Sequence, residues 1–207
     1  PFLSQQRRSH VPMAFFLLLY ISVYGAVQLY MVFWVRRVWP DVRWAVPASL
    51  LFAAAMVAGP IVTQMLKRQG LTIPAQVMAL FVYTWFAWSF WFLAAGLAVD
   101  LWSLALWLAA RSSPWAALWI PSSRAALAGV GAVVLVASGW GLVEAARPRL
   151  ETVRVSIDRL PDDFEPVRLV QISDLHLGLI RRPGVLQKVL RLVREARPDV
   201  IVSTGDL

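Results

Sequence analysis

The sequence contains no cysteine, little charge and almost no histidine. The absence of cysteine excludes disulfides, zinc–thiolate centres and cysteine nucleophiles from its 207 residues. Charged residues make up 15% of the chain, whereas soluble domains contain about 25%. The two histidines are His10 and His176, so the long hydrophobic segments between them offer no histidine ligand for a haem.

The apolar residues, which form 59% of the chain, are concentrated in its first two thirds. All 11 tryptophans lie between Trp34 and Trp140, and residues 1–150 carry the net charge of +8. Basic residues beside hydrophobic segments are typical of loops that face anionic lipid head groups. Residues 151–207 balance nine basic against nine acidic side chains. The sequence therefore predicts membrane lipids, and no nucleic acid, as partners.

Four segments are long and apolar enough to cross a bilayer, which takes about 20 residues. The predicted spans are residues 11–35, 44–66, 73–99 and 125–146. Residues 101–110 are too short to cross and are predicted to be a helical extension or an interfacial segment. Residues 1–149 are therefore predicted to form a transmembrane domain that acts as an anchor.

Few side chains within the spans suggest chemistry. Asp100 and Glu144 lie near span ends and are predicted to be interfacial carboxylates in contact with water. Ala137 and Gly141 form a small-xxx-small pair that would let another helix approach closely. An aromatic stripe at helical spacing is predicted to pack between helices or against lipid, and consists of Phe81, Trp85, Trp88 and Phe92.

Four spans place both flanking regions on the same side of the membrane. Seven basic residues flank the spans on the side of residues 150–207, and five flank them on the other side. The positive-inside rule then favours a multi-pass protein of the cell (inner) membrane, with residues 150–207 (the polar region) in the cytoplasm.

The polar region alternates strand and helix patterns. Residues 152–157 alternate polar and apolar side chains, which predicts a half-exposed strand. Residues 167–172 and 200–202 are apolar enough for buried strands, and residues 185–196 between them predict an amphipathic helix. The three segments together predict a β-α-β unit with a right-handed crossover.

Metal-ligating side chains follow both strands of this unit. S-D-L-H-L-G at 173–178 follows the first strand, and G-D at 205–206 follows the second. Since parallel strands present their carboxyl ends at one sheet edge, Asp174, His176 and Asp206 are predicted to share a crevice. Such ligands suit Mn²⁺, Fe or Zn²⁺, and a shared carboxylate can bridge two ions about 3.5–4 Å apart. Arg181 and Arg182 are candidate phosphate contacts, and a solvated loop is the open alternative for both.

With these motifs, residues 150–207 resemble the calcineurin-like metallophosphoesterase family, in particular its bacterial members with a multi-span N-terminal domain. The resemblance implies that Asp174 and His176 ligate the first of two divalent metal ions (Mn, Fe or Zn) and that Asp206 bridges the pair. The family's later G-N-H and G-H-x-H motifs have no counterpart before Leu207. The chain is therefore expected to be a fragment of a longer protein and to be inactive by itself.

The fold class expected is a multi-pass α-helical membrane domain followed by the first part of an α/β metallophosphoesterase domain (an α/β-β-α sandwich). The activity implied is hydrolysis of a phosphomonoester, phosphodiester or pyrophosphate by attack of a metal-bound hydroxide. The membrane anchor favours a lipid-linked or membrane-surface substrate, and the oligomeric state is left open.

Two other functions fit part of the pattern. Nucleases of double-strand-break repair share S-D-x-H-x-G and G-D, but in them the motif usually opens the protein, and four preceding spans argue against this assignment. A non-catalytic membrane scaffold or transporter-like protein with a degenerate phosphoesterase tail is the alternative from another class. G-N-H and G-H-x-H motifs beyond Leu207 would favour the enzyme, and their absence would favour the scaffold.

Overall fold

The computed structural model describes residues 13–156, 165–173 and 183–204. Within these ranges the chain forms five α-helices, a 3₁₀ helix and two strands. In chain order they are α1 (Met13–Val38), α2 (Ala45–Arg68), α3 (Thr72–Ala109), the 3₁₀ helix (Pro114–Trp119), α4 (Ser123–Ala145), β1 (Leu169–Ser173), α5 (Pro183–Ala196) and β2 (Val200–Thr204).

The first four α-helices are each long and apolar enough to cross a membrane, and this number confirms the sequence prediction. Their ends differ from the predicted ends by a few residues, except that α3 continues through Asp100 to Ala109. Residues 101–109 therefore extend the third helix. At 38 residues, α3 is about 57 Å long and exceeds a hydrocarbon layer of about 30 Å.

Local sequence signals determine where these helices begin and end. Gly70 follows α2 with a φ of 76°, which a glycine adopts without steric cost, and the N–H of Leu71 returns to the carbonyl of Leu66 at 3.1 Å. Ser122 precedes α4, and its Oγ accepts a hydrogen bond from the N–H of Ala125 at 3.3 Å.

The core of the bundle lies where α1, α3 and α4 meet. Trp34 of α1 is 1% exposed and packs with Ala126, Val130 and Val134 of α4. Phe92 of α3 contacts the Trp34 ring edge-to-face, with ring centroids 5.6 Å apart. Phe92 of the aromatic stripe thus packs between helices, whereas Phe81 is 52% exposed on the surface of the bundle.

The contact between α2 and α3 depends on small residues. Ala75 and Ala79 of α3 are fully buried, and Gly59 of α2 lies against Val82. A Cβ at Gly59 would lie 2.5 Å from Cγ2 of Val82, so the absence of a side chain lets the two helices approach closely.

The polar region differs from the sequence prediction in two ways. Residues 151–156 are exposed and form no strand, so the predicted strand at 152–157 is wrong for the residues described; Ile157 lies outside them. A strand needs a neighbour for its backbone hydrogen bonds, and alternation of side chains does not supply one. β1 and β2 are also largely exposed, against the buried positions predicted for them, because no further layer covers them in the described part of the chain.

Candidate metal centre

The candidate centre is built on two parallel strands that end at the same level. In β1 and β2, Leu169 pairs with Val200, and the register continues to the pair Ser173 and Thr204. Neighbouring strands lie about 4.8 Å apart, so the chain leaves both strands at one short stretch of sheet edge. Asp174 follows Ser173 directly in the sequence, and Asp206 follows Thr204 by two residues.

Asp199 determines where this pairing begins. Its carboxylate accepts a hydrogen bond from the N–H of Arg168 at 2.8 Å, and its own N–H donates to the carbonyl of Arg168 at 2.9 Å. At the other end of the strands, Nε2 of Gln171 donates to Oγ1 of Thr204 at 2.6 Å. These bonds hold the register from both ends, and a shift of one residue would turn every side chain to the opposite face.

The predicted ligands and phosphate contacts lie outside the described residues. This holds for Asp174, His176, Arg181, Arg182 and Asp206. Within the ranges that the structure describes, no group of three or more His, Asp or Glu side chains could hold a metal ion. The metal assignment therefore stays a prediction, and the described strands contribute its backbone frame.

The polar region is joined to the end of the fourth membrane helix. Nζ of Lys188, on α5, donates a hydrogen bond to the carbonyl of Ala146 at 2.9 Å. This carbonyl follows α4 directly, where the helix dipole favours a cation. Because α5 lies between β1 and β2 in the chain, the contact ties the β-α-β unit to the membrane helix.

Sequence reasoning missed two polar clusters inside the bundle. Asp100, predicted to contact water, pairs with Arg37 of α1 and accepts a hydrogen bond from Tyr30. Gln28 is 2% exposed, donates to Ser89 at 3.0 Å and accepts from Nε1 of Trp85 at 3.1 Å. The opposite charges of Arg37 and Asp100 at span ends were the available signal for the first cluster, whereas nothing in the sequence marks Gln28.

Comparisons with known proteins match part of the chain, about a third of it or less. A "Transmembrane protein with metallophosphoesterase domain" from Danio rerio is 38% identical over 76 residues, which are 36% of this chain and 17% of that protein. An "Uncharacterized metallophosphoesterase" from Aquifex aeolicus (strain VF5) is 33% identical over 58 residues, or 28% of this chain and 22% of its own. The "UDP-2,3-diacylglucosamine pyrophosphatase LpxG" of Chlamydia muridarum (strain MoPn / Nigg) is 45% identical over 51 residues, which are 23% of this chain and 16% of that protein.

No family model matches the chain, and no solved structure matches it significantly. The matched segments span less than a quarter of each of these three relatives. Their names agree with the motifs and with the four membrane helices. The comparisons therefore confirm the resemblance, and this membrane protein is similar to membrane-anchored metallophosphoesterases over the segments that match.

Proposed function

We propose that this chain anchors and begins the catalytic domain of a dimetal phosphoesterase that acts at a membrane surface. The observation that carries the proposal is the register of β1 and β2, in which Ser173 pairs with Thr204. Two strands that end side by side deliver the residues after them to one crevice. The similarity to named metallophosphoesterases supports the same assignment.

In this proposal Asp174 and His176 hold one divalent ion and Asp206 lies between two. Two carboxylates and an imidazole without thiolates form a donor set that fits Mn, Fe or Zn. When bound, the ions would activate a water and stabilise the charge on the attacking and leaving oxygens. Arg181 and Arg182, which precede α5 in the sequence, would contact the phosphate.

The substrate we propose is a phosphoester or pyrophosphate attached to a lipid. The bond between Lys188 and Ala146 brings the β-α-β unit to the end of α4, which supports a crevice close to the head groups. The Chlamydia muridarum relative, named a UDP-2,3-diacylglucosamine pyrophosphatase, supports a substrate of this class.

We further propose that the protein lies in the inner membrane with its polar region in the cytoplasm, as the basic flanks favour.

The test uses a full-length protein that contains this chain. With Mn²⁺ present, it should hydrolyse a soluble aryl phosphodiester, and Asp174→Asn and Asp206→Asn should each lower kcat/KM by at least about 100-fold, because metal sites tolerate ligand loss poorly. The matched control is Glu151→Gln, since Glu151 is exposed and lies outside the motif. Metal content, measured by mass spectrometry, should fall in the two Asp variants alone. Undiminished activity in both Asp variants would show that the metal assignment is wrong.

A further inference from the structure

An apolar groove runs along the membrane face of the bundle between α3 and α4. It has a volume of about 520 Å³ and is open along its length, since Val136 and Trp140 are 72% and 74% exposed. Its lining residues are Trp91, Ala132, Val133, Val136, Ala137 and Trp140. Trp91 comes from α3, and the other five lining residues come from α4.

The groove lies in the half of the bilayer next to the polar region. From Ala132 to Trp140 it follows α4 for about 12 Å, and one leaflet of hydrocarbon is about 15 Å deep. Trp140 is five residues from Ala145, where α4 ends. The length of the groove therefore approaches that of one hydrocarbon chain in this leaflet.

Basic residues follow α4 at the end of the groove nearest to the polar region. Glu144 follows Trp140 by one helical turn on the same face, and its carboxylate lies 3.5 Å from the guanidinium of Arg149. Lys188 reaches the carbonyl of Ala146 from α5, and Arg147 is the next residue. Arg149 is paired with Glu144, so Arg147 and Lys188 supply the positive charge at this end of α4, which suits a phosphate.

We propose that this groove binds the hydrocarbon chain of a lipid phosphoester, that Arg147, Arg149 and Lys188 hold its phosphate before transfer to the crevice at the edge of β1 and β2, and that this lipid is the substrate of the polar region. The lipid site depends only on the groove and its mouth. Its role in catalysis rests on the proposed function, because it needs the phosphoester to be cleaved at the edge of β1 and β2.

A second copy of the chain is a less suitable occupant than a lipid. Ala137 and Gly141 would allow a helix to approach, and among the described residues no atom lies within 4 Å of a Cβ placed at Gly141. However, a symmetric contact through α4 would bring Arg147 and Arg149 of both copies together, and like charges repel. A phosphate at the same place is attracted instead.

The binding test uses phosphatidic acid and phosphatidylcholine of equal chain length, with retention on the purified chain measured by native mass spectrometry. The chain should retain phosphatidic acid about tenfold better, because its exposed phosphate can contact the cations. Ala137→Leu fills the groove and should lower retention of both lipids by about fivefold. Arg149→Gln should remove the preference and leave phosphatidylcholine retention unchanged.

Two matched variants control for general effects on the bundle. Ala54→Leu adds the same volume at an exposed position of α2, and Arg43→Gln removes a charge from an exposed loop residue. Both should retain lipids as the unaltered chain does. Equal retention by all variants would overturn the lipid site. Disulfide-linked dimers of Val136→Cys together with unchanged lipid retention would overturn it in favour of a second copy.

The substrate role is tested in the complete protein with two nitrophenyl phosphodiesters that differ only in a methyl or a dodecyl chain. The dodecyl ester should have a kcat/KM about tenfold higher, and Ala137→Leu should lower the ratio of the dodecyl to the methyl kcat/KM to about one. A chain-length advantage that survives Ala137→Leu would overturn the substrate role. If neither ester is hydrolysed, the proposed function and the substrate role are both refuted. The lipid site still stands in that case if lipid retention depends on Ala137.

Discussion

The guanidinium of Arg37 lies 2.5 Å from one carboxylate oxygen of Asp100, and the other oxygen accepts a hydrogen bond from Tyr30 at 2.6 Å. The two charged side chains are 26% and 27% exposed. Arg37 also donates from Nε to Ser123 at 3.3 Å, so one cluster joins α1, α3 and α4. The last turns of α3 lie beyond this cluster. Arg111, just after the helix, stacks on Trp107, with its guanidinium carbon 4.3 Å from the centroid of the ring.

Neutralising one member of this cluster should weaken the bundle. Asp100→Asn leaves Arg37 without its anion and should cost about 1–2 kcal/mol, less than a fully buried pair would because the cluster is partly exposed. Thermal unfolding in a mild detergent would measure the loss. Asp41→Asn, which changes an exposed loop carboxylate, is the control. Adding Arg37→Gln to Asp100→Asn should restore part of the stability, and strict additivity of the two losses would argue against a direct interaction.

Two glycines in neighbouring helices should respond oppositely to a methyl group. Gly59→Ala places a Cβ 2.5 Å from Cγ2 of Val82, a side chain that is 1% exposed, and should destabilise the bundle by about 1–3 kcal/mol. Gly25→Ala meets no described atom within 4 Å and should stabilise α1 by up to about 1 kcal/mol through helix propensity. Thermal unfolding of both variants, run in parallel, checks the pair. Equal shifts of the same sign would contradict the close approach of α2 and α3.

The carboxylate of Asp199 should be needed for strand register. Asp199→Ala removes the acceptor for the N–H of Arg168 and should cost about 1 kcal/mol, which corresponds to roughly fivefold faster amide exchange in β1 and β2. Hydrogen exchange followed by mass spectrometry measures this locally. Glu195→Ala, at an exposed position on α5, should leave the strand amides unchanged. Unchanged exchange in Asp199→Ala would mean that backbone pairing alone holds the register.

The absence of cysteine allows membrane sidedness to be tested with single substitutions. Ser156→Cys in the polar region should resist a membrane-impermeant maleimide in intact cells and react after permeabilisation, because the basic flanks favour the cytoplasm. Ser112→Cys, in the connection after α3, should react in intact cells. Both positions are exposed, so access to the reagent depends on the side of the membrane. The reverse pattern would place the polar region outside the cytoplasm.

The membrane helices were predictable because span length and apolar composition are properties of local sequence. The extension of α3 past Asp100 was less predictable, since a charged residue near a span end suggests a boundary. Its carboxylate is neutralised by Arg37, which comes 63 residues earlier in the chain, so the helix can continue through it. Strand prediction failed at 152–156 for a related reason, because a strand needs a partner that local alternation does not reveal.

Four apolar segments of membrane length, the lack of thiols, and an Asp-x-His motif followed by a Gly-Asp pair can all be read from residue identity and spacing. The pairing of Ser173 with Thr204, the contact of Lys188 with the end of α4, and the groove between α3 and α4 appear only when the chain is folded. Each of these depends on contacts between residues distant in sequence, which spacing along the chain cannot specify.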